Sequence, residues 1–242
     1  MKAFILAAGE GRRLRPLTDT LPKCLVPIDG TPLLSLWLTL LARHGVSDVL
    51  INMHHAHERL VEFVAGHRSG VRIQLSYEPE LLGSAGTVAA NRAFVAGETD
   101  FLIVYSDVLT NADLTYLVER HRSHDFPMTI GVTLTGRPRE KGTVVIDAAG
   151  RVVAFEEKAQ APRSNLANAG LYVARAPLFE MLETVRPTSG PFDFGHHVLP
   201  QLVPSLCAVP IEDFLLDIGT PEAYACAQSL WPRMNAPAPL AP

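Results

Sequence analysis

Strand-like and helix-like segments alternate along the first half of the chain. The predicted strands are residues 2–7, 48–53, 71–77, 100–105, 128–134, 143–146, 152–156, 169–174 and 207–210. The predicted helices are residues 33–44, 57–67, 84–95 and 113–124. Parallel strands need crossover connections of this kind, so the alternation predicts βαβ units. We expect an α/β fold: a three-layer, Rossmann-like, mainly parallel sheet.

The middle of the chain has a different pattern. Two short strand-like runs, 143–146 and 152–156, flank the turn 147–150, which ends in glycine. This spacing is typical of a β-hairpin and predicts a small antiparallel insertion on the parallel core. Residues 232–242 are rich in proline and alanine and offer no core to bury, so we predict one domain over residues 1–231 and a disordered tail.

The first predicted strand runs directly into a glycine-rich, basic loop. Gly9 and Gly11 lie among arginines that include Arg13, and Lys23 follows in the same connection. Glycines let backbone N–H groups approach phosphate oxygens, and cations neutralise their charge. The carboxyl end of a parallel strand is also where open α/β sheets bind ligands. The segment therefore predicts a polyphosphate site.

Two common phosphate-binding loops do not match this segment. A P-loop needs Lys-Ser or Lys-Thr after its glycines, and a dinucleotide fingerprint needs a third glycine where this chain has Leu14. The same mismatch disfavours a methyl- or hydride-transferring Rossmann enzyme. An ordinary glycine-containing turn with solvated arginines is the remaining alternative, and the number of cations disfavours it.

Size and charge limit the partners. The 242 residues are 48% hydrophobic, enough for one large core. With a net charge of −4, no attraction to nucleic acid or an anionic membrane is expected. Three scattered cysteines indicate neither disulfides nor a zinc site. No apolar run approaches ~20 residues, and the first is too short for a signal peptide. We expect a protein of the reduced cytoplasm.

Two aspartates follow apolar runs at positions suited to a divalent cation. Asp107 comes after the predicted strand 100–105, and Asp217 comes after another apolar run. Mg²⁺ takes one or two carboxylates together with substrate phosphates and waters. A turn or N-cap role is the alternative for each aspartate alone, and we interpret Asp100 and Asp213 in that way.

Other polar residues indicate less on their own. Residues 82–87 form a glycine-rich turn into a helix, which offers backbone N–H groups to a base or an anion. The histidines at 54, 55 and 57 lack a zinc-binding spacing, so we assign them to a loop with a capping role. Residues 196 and 197 are interpreted as packing or surface histidines in a helical stretch. Cys24 has no visible partner that would activate its thiol.

Taken in order, these segments resemble the sugar-phosphate nucleotidyltransferases, also called nucleoside-diphosphate-sugar pyrophosphorylases. The matching segments are residues 6–16, 22–27, 83–87, 106–107, 157–158, 168–172 and 216–224, and the resemblance extends to about Trp231. It implies transfer of a nucleoside monophosphate from an NTP to a sugar 1-phosphate, with release of pyrophosphate and with Mg²⁺ as cofactor. Members of this family often form dimers or tetramers, so it also implies a homo-oligomer, although no apolar patch specifies one.

The resemblance also implies a role for each matched position. The implied catalytic residues are Arg13, Lys23, Asp107 and Asp217, and the implied Mg²⁺ ligands are Asp107 and Asp217. The implied nucleotide-binding residues are Leu6, Ala8, Gly9, Gly11, Arg13, Lys23, Gly83, Ser84, Gly86 and Thr87. The implied sugar-phosphate-binding residues are Glu157, Lys158, Asn168 and Gly170.

The chain departs from the family pattern at two positions. Ser106 replaces the usual glycine before the metal-binding aspartate, and Cys24 replaces a frequent proline after Lys23. The glycine-rich turn at residues 83–86 also lacks the glutamine that many glucose-type relatives have there. Its absence favours GTP with mannose or heptose 1-phosphate. Uridylyl, thymidylyl or cytidylyl transfer stays open, as does, more distantly, a non-catalytic sugar-nucleotide sensor.

Overall fold

The fold is built around one large β-sheet. A computed structural model describes residues 1–68 and 70–234. The strands in this part of the chain are β1 (Lys2–Leu6), β2 (Pro27–Ile28), β3 (Thr31–Pro32), β4 (Asp48–Met53), β5 (Arg72–Tyr77), β6 (Phe101–Tyr105), β7 (Val108–Thr110), β8 (Met128–Leu134), β9 (Gly142–Ile146), β10 (Val152–Glu157), β11 (Leu166–Ala174), β12 (Leu206–Pro210) and β13 (Leu215–Asp217).

Helices connect these strands. The α-helices of the described residues are α1 (Leu33–Arg43), α2 (His57–Gly66), α3 (Ser84–Ala90), α4 (Leu114–Arg122), α5 (Pro177–Thr184), α6 (Leu199–Leu202) and α7 (Pro221–Met234). Short 3₁₀ turns lie at Arg12–Leu14, Lys23–Leu25, Arg92–Val95 and Pro138–Glu140, and a π-helical turn at Phe194–Val198 precedes α6. Among the described residues, none of the helices has the length and apolar character needed to cross a membrane.

The parallel part of the sheet runs β5-β4-β1-β6, so β1 lies between β4 and β6. Strand β11 continues the sheet antiparallel to β6 and also pairs with β8, which in turn pairs with β12 in parallel. The β9–β10 hairpin attaches to β11 through Thr143 and Ala167. The mainly parallel α/β sheet with an antiparallel hairpin is therefore confirmed.

Alternating side chains of the central strands face two separate cores. Ala3 and Ile5 of β1 pack with α1 and α4, whereas Phe4 and Leu6 pack with α3 and α5. Side chains of a strand point to opposite faces in turn, so a strand buried on both faces is apolar throughout. The result is the expected three-layer arrangement.

The predicted elements agree with the structure to within a few residues, with three differences. The helix predicted over residues 84–95 ends at Ala90, because Asn91 caps it by donating to the Thr87 carbonyl oxygen at 2.9 Å. The short strands β2, β3, β7 and β13 and the helix α5 were not predicted. Helix α7 continues through Pro232 to Met234, and the rest of the predicted tail, residues 235–242, lies outside the described residues.

Candidate functional site

The loop after β1 lies at the carboxyl edge of the parallel strands. The backbone N–H groups of Ala7 and Ala8 both donate to Asn52 Oδ1, at 2.6 and 3.3 Å. Gly9 follows and is exposed. Gly11 has φ +64°, and a Cβ there would lie 2.9 Å from Thr18 Cγ2, so glycine is required at this turn.

A buried polar network holds Asn52, the residue that binds the start of this loop. The Asn52 amide donates to Glu78 Oε1 and to Thr87 Oγ1, each at 2.8 Å. Glu78 also accepts from the Thr87 hydroxyl and, at 3.1 Å, from the Leu82 N–H. All three polar side chains are nearly inaccessible to solvent. Since buried polar groups are costly unless paired, the network holds Asn52 in place to bind the loop amides.

The two predicted metal-binding aspartates are brought together by a short antiparallel ribbon. Strands β7 and β13 pair with Asp217 opposite Val108, and the Ile218 N–H donates to the Asp107 carbonyl oxygen at 3.0 Å. Asp107 itself follows β6, beside the end of β1. Lys23 Nζ donates to Asp107 Oδ2 at 2.7 Å from a nearly buried side chain. Positions distant in sequence therefore meet at one edge of the sheet.

Asp217 has three cationic neighbours. Its Oδ2 is hydrogen-bonded to Lys141 Nζ, and its Oδ1 accepts from the Gly219 N–H at 2.8 Å. A Cβ on Gly219 would lie 2.8 Å from a terminal nitrogen of Arg13, so the missing side chain leaves room for that guanidinium. Burial raises the pKa of Asp217, but Lys141 and then Lys23 outweigh it, and the pKa lies below its ordinary value. The carboxylate is therefore ionised at neutral pH.

Two carboxylates on paired segments suit Mg²⁺, which commonly takes one or two protein carboxylates and completes its shell with phosphates and waters. Within residues 1–68 and 70–234, no group of three or more histidine, cysteine or acidic side chains is placed to hold a metal. The donor set at Asp107 and Asp217 therefore fits a cation that arrives with oxygen ligands from a substrate. It does not fit a fully enclosed protein site.

The glycine-rich turn at the start of α3 has partners within the chain. The Ala85 and Gly86 N–H groups both donate to the Phe192 carbonyl oxygen at 2.9 Å, and the Ser84 N–H and hydroxyl both donate to Asp193. A Cβ on Gly83 would lie 2.5 Å from the Phe192 oxygen, so this glycine permits a close backbone contact. The start of α3 is thus already capped by a segment about 110 residues later. Its nucleotide-binding role stays a prediction.

The predicted sugar-phosphate residues lie at the end of β10 and in β11, two strands that β9 separates in the large sheet. Glu157 is packed against Gly142 and Gly195, because a Cβ on either glycine would lie within 2.8 Å of its Oε2. Lys158 extends toward solvent with Nζ 3.5 Å from Glu157 Oε1. Asn168 donates to the Tyr172 hydroxyl at 2.6 Å and accepts from the Gly170 N–H at 3.0 Å. Their ligand-binding role is likewise still a prediction.

Sequence reasoning did not identify Asn52, Glu78 or Lys141 as residues of this region. Asn52 is the polar residue near the end of an otherwise apolar strand, which is a weak signal that a strand end serves a site. Lys141 stands in a charged turn, Arg139–Lys141, that is typical of solvent-exposed loops. Its backbone carbonyl accepts the Lys158 N–H at 3.1 Å, which places it beside a predicted sugar-phosphate residue.

The histidine loop before α2 has a role that differs from the prediction. The N-cap of α2 is Ala56, and no side chain caps it, so the predicted capping role is wrong. Instead, His54 Nδ1 lies 2.7 Å from the Glu78 carbonyl oxygen, and His55 Nε2 lies 2.9 Å from that of Thr18. These two contacts connect the loop at residues 54–56 to the segments that contain Glu78 and Thr18. His197 lies in the π-helical turn, and its Nδ1 accepts from the Asp193 N–H at 3.1 Å.

We expect Cys24 to resist alkylation in the folded protein. It is completely buried, and burial raises the pKa of its thiol to about 12, so the reactive thiolate is scarce at pH 8. Cys226 is exposed and provides the internal control. Iodoacetamide treatment at pH 8, followed by peptide mass spectrometry, should modify Cys226 and leave Cys24 intact until urea is added. Equal modification of both in native buffer would contradict the burial of Cys24.

The chain matches a known protein family over nearly its whole length. The model of the nucleotidyl transferase family matches residues 2–232. The chain is 34% identical to the probable mannose-1-phosphate guanylyltransferase 1 of Oryza sativa subsp. japonica, over 100% of this chain and 68% of the relative. It is 32% identical to the catalytic subunit beta of mannose-1-phosphate guanylyltransferase from Xenopus tropicalis, over 96% and 64% of the two chains.

A third relative is named for a different nucleotide substrate, UTP. The UTP–glucose-1-phosphate uridylyltransferase of Synechocystis is 33% identical, over 93% of this chain and 61% of the relative. The chain thus spans about two thirds of the length of the curated relatives it matches.

Two solved structures share the fold. The crystal structure of a proposed glucose-1-phosphate thymidylyltransferase from Bacillus anthracis, in complex with a sucrose, has a TM-score of 0.84 at 22% identity, over 95% of this chain and 94% of that chain. HddC from Yersinia pseudotuberculosis, complexed with GMP-PN, has a TM-score of 0.78 at 22% identity, over 95% and 99% of the two chains.

Proposed function

Because the chain belongs to the nucleotidyl transferase family, we propose that it transfers a nucleoside monophosphate from an NTP to a sugar 1-phosphate and releases pyrophosphate. The observation that supports this most directly is the grouping of Asp107 and Asp217 with three cations, Arg13, Lys23 and Lys141, at the carboxyl edge of β1 and β6. A triphosphate carries several negative charges, so its binding site needs several cations close together. The nearby acids would hold a divalent ion.

The nucleotide side of the reaction is assigned to the loop after β1. Gly9 and Gly11 leave backbone exposed to phosphate oxygens, and Arg13 and Lys23 neutralise their charge. The attacking group is the phosphate of the sugar 1-phosphate, which is already an anion, so no general base is needed. Catalysis then consists of alignment and electrostatic stabilisation of charge in the transition state. Mg²⁺ on Asp107 and Asp217 would supply further neutralisation of the reacting phosphoryl oxygens.

The sugar phosphate is assigned to the region of β10 and β11. The exposed ammonium of Lys158 is free to reach a phosphate, since its contact with Glu157 is long and solvated. Glu157 and Asn168 offer hydrogen-bonding atoms to sugar hydroxyls, beside the backbone at Gly170. Lys141 links this region to Asp217. The two substrates would then meet between these two sets of residues, as in-line transfer requires.

For the substrate pair we propose GTP with mannose 1-phosphate or heptose 1-phosphate. The absence of the pyrimidine-binding glutamine in the segment at 83–86 and the guanylyltransferase relatives support GTP. The uridylyltransferase relative at similar identity supports UTP as the alternative. The amides at the start of α3 are bonded within the chain, so we assign base contacts to other atoms of that segment.

A sugar-nucleotide sensor without activity is the second candidate class, and no specific observation favours it. A chain that had lost the reaction would be free to lose one of Arg13, Lys23, Asp107, Lys158 or Asp217, yet all five are present. The grouping around Asp217 also costs desolvation that a simple binding surface would not need. We further propose a cytoplasmic, homo-oligomeric enzyme; both of these stay predictions.

The decisive experiment is a matrix of NTPs against sugar 1-phosphates with Mg²⁺, read out as pyrophosphate release. We expect at least one active pair, with GTP and mannose or heptose 1-phosphate the most active, and loss of activity in EDTA. If no pair reacts while calorimetry detects nucleotide-sugar binding, the sensor is correct and the transferase is not.

A further inference from the structure

Each of the two acids in the site is already paired with a lysine. Lys23 Nζ is hydrogen-bonded to Asp107, and Lys141 Nζ is hydrogen-bonded to Asp217. The Arg13 guanidinium lies against Gly219, whose N–H binds the other oxygen of Asp217. Counting these groups, two carboxylates stand among three cations. A divalent ion placed there would add charge to a site that is already slightly positive.

Lys141 differs from Lys23 in its surroundings. Lys23 is nearly buried and belongs to the loop after β1, whereas Lys141 reaches Asp217 from the turn before β9. Its side chain and that of Asp217 remain 33% and 30% exposed, so the pair can exchange partners with solvent or a ligand. Its carbonyl oxygen is bonded to the backbone of Lys158. Lys141 is therefore the cation between the nucleotide residues and the sugar-phosphate residues.

We propose that Lys141 is a positioning residue that occupies Asp217 in the free protein and moves to phosphate oxygens when a triphosphate binds. In the free protein, this tethered ammonium competes with divalent ions for Asp217. A triphosphate offers the ammonium better acceptors, which releases the carboxylate. Binding of the two ligands is then coupled, and by linkage each favours the other. The proposal rests on the proposed function for the triphosphate ligand and for the divalent ion at Asp217.

The test uses the full-length protein, two binding assays and no turnover. Lys141→Met removes the charge and keeps the length, Lys141→Ala is a second neutral variant, and Lys141→Arg keeps the charge. Arg139→Met is the matched control, because Arg139 is an exposed cation two residues earlier in the same turn. Mn²⁺ binding is measured from the electron paramagnetic resonance signal of the free ion. Inorganic tripolyphosphate binding is measured by calorimetry in EDTA.

The expected changes have opposite signs. The neutral variants should bind Mn²⁺ about tenfold more tightly than the wild type, because a competing cation at contact distance has been removed. They should bind tripolyphosphate several-fold more weakly, because one of its cations is missing. Lys141→Arg and Arg139→Met should stay close to the wild type in both assays.

Any other pattern overturns the proposal. A Lys141 that only supports the fold would shift both affinities in the same direction or neither, and absent Mn²⁺ binding in wild type and variants alike would count as no difference. A change in only one assay also contradicts it, since the proposed exchange requires both. The opposite shifts would remain even if the substrate matrix showed no turnover, so failure of the proposed function is recognised separately.

Discussion

Replacing Asp217 by asparagine should lower kcat by about 10²–10³-fold, the loss typical of a major electrostatic contact in a transition state. Asparagine has the same shape and still accepts the Gly219 N–H, but it lacks the charge that attracts Lys141 and a divalent ion. Asp107→Asn should have an effect of similar size, because Asp107 stands beside it and holds Lys23. Steady-state kinetics on the best substrate pair measures both.

Asp213→Asn is the matched control for these variants. Asp213 precedes Asp217 by four residues and accepts the Asp113 N–H at 3.1 Å, a bond that asparagine can keep. Its activity should stay within a factor of about two of the wild type, since exposed substitutions away from special features have small effects. Full activity in both Asp107→Asn and Asp217→Asn, or turnover that survives EDTA, would exclude the proposed metal role.

The sequence was most informative where local pattern and position coincide. The apolar run before Asp107 predicts a buried strand, and the end of a buried parallel strand is a ligand-binding position, so Asp107 could be found without a structure. The contact between Asp107 and the Asp217 segment was not predictable in this way. It depends on the ribbon of β7 and β13, two three-residue strands that are too short to show any periodicity.

Polar residues in the interior were the least predictable. Glu78 and Asn52 are charged or polar types that normally lie at the surface, and only tertiary packing reveals that they bind each other. The turn at 83–87 shows the same limit. The sequence suggests that the N–H groups at the start of α3 are available to a ligand, but in the structure they donate to Phe192 and Asp193. No local pattern indicates that a segment so far along the chain will cap this helix.

Glu78 holds together the buried network that contains Asn52 and Thr87, so we expect its replacement to lower the stability of the fold strongly. Glu78→Ala should lower the free energy of unfolding by about 3–5 kcal/mol, because it removes an acceptor shared by three donors, at about 1–3 kcal/mol for each donor left unpaired. The Leu82 N–H and one hydrogen of the Asn52 amide lose their acceptor, and the Thr87 hydroxyl keeps only its 3.1 Å bond to the Gly83 carbonyl oxygen. Urea denaturation monitored by circular dichroism measures the change.

The exposed Glu80 serves as the control, since Glu80→Ala removes the same group two residues later and should change the stability by no more than about 0.5 kcal/mol. Glu78→Gln should be intermediate, because its amide keeps one acceptor oxygen but turns an NH₂ group toward another donor. The Glu78 variants should also raise KM for the nucleotide, since Asn52 would no longer hold the amides of Ala7 and Ala8. If Glu78→Ala unfolds at the same urea concentration as Glu80→Ala, the network does not stabilise the fold around the loop after β1.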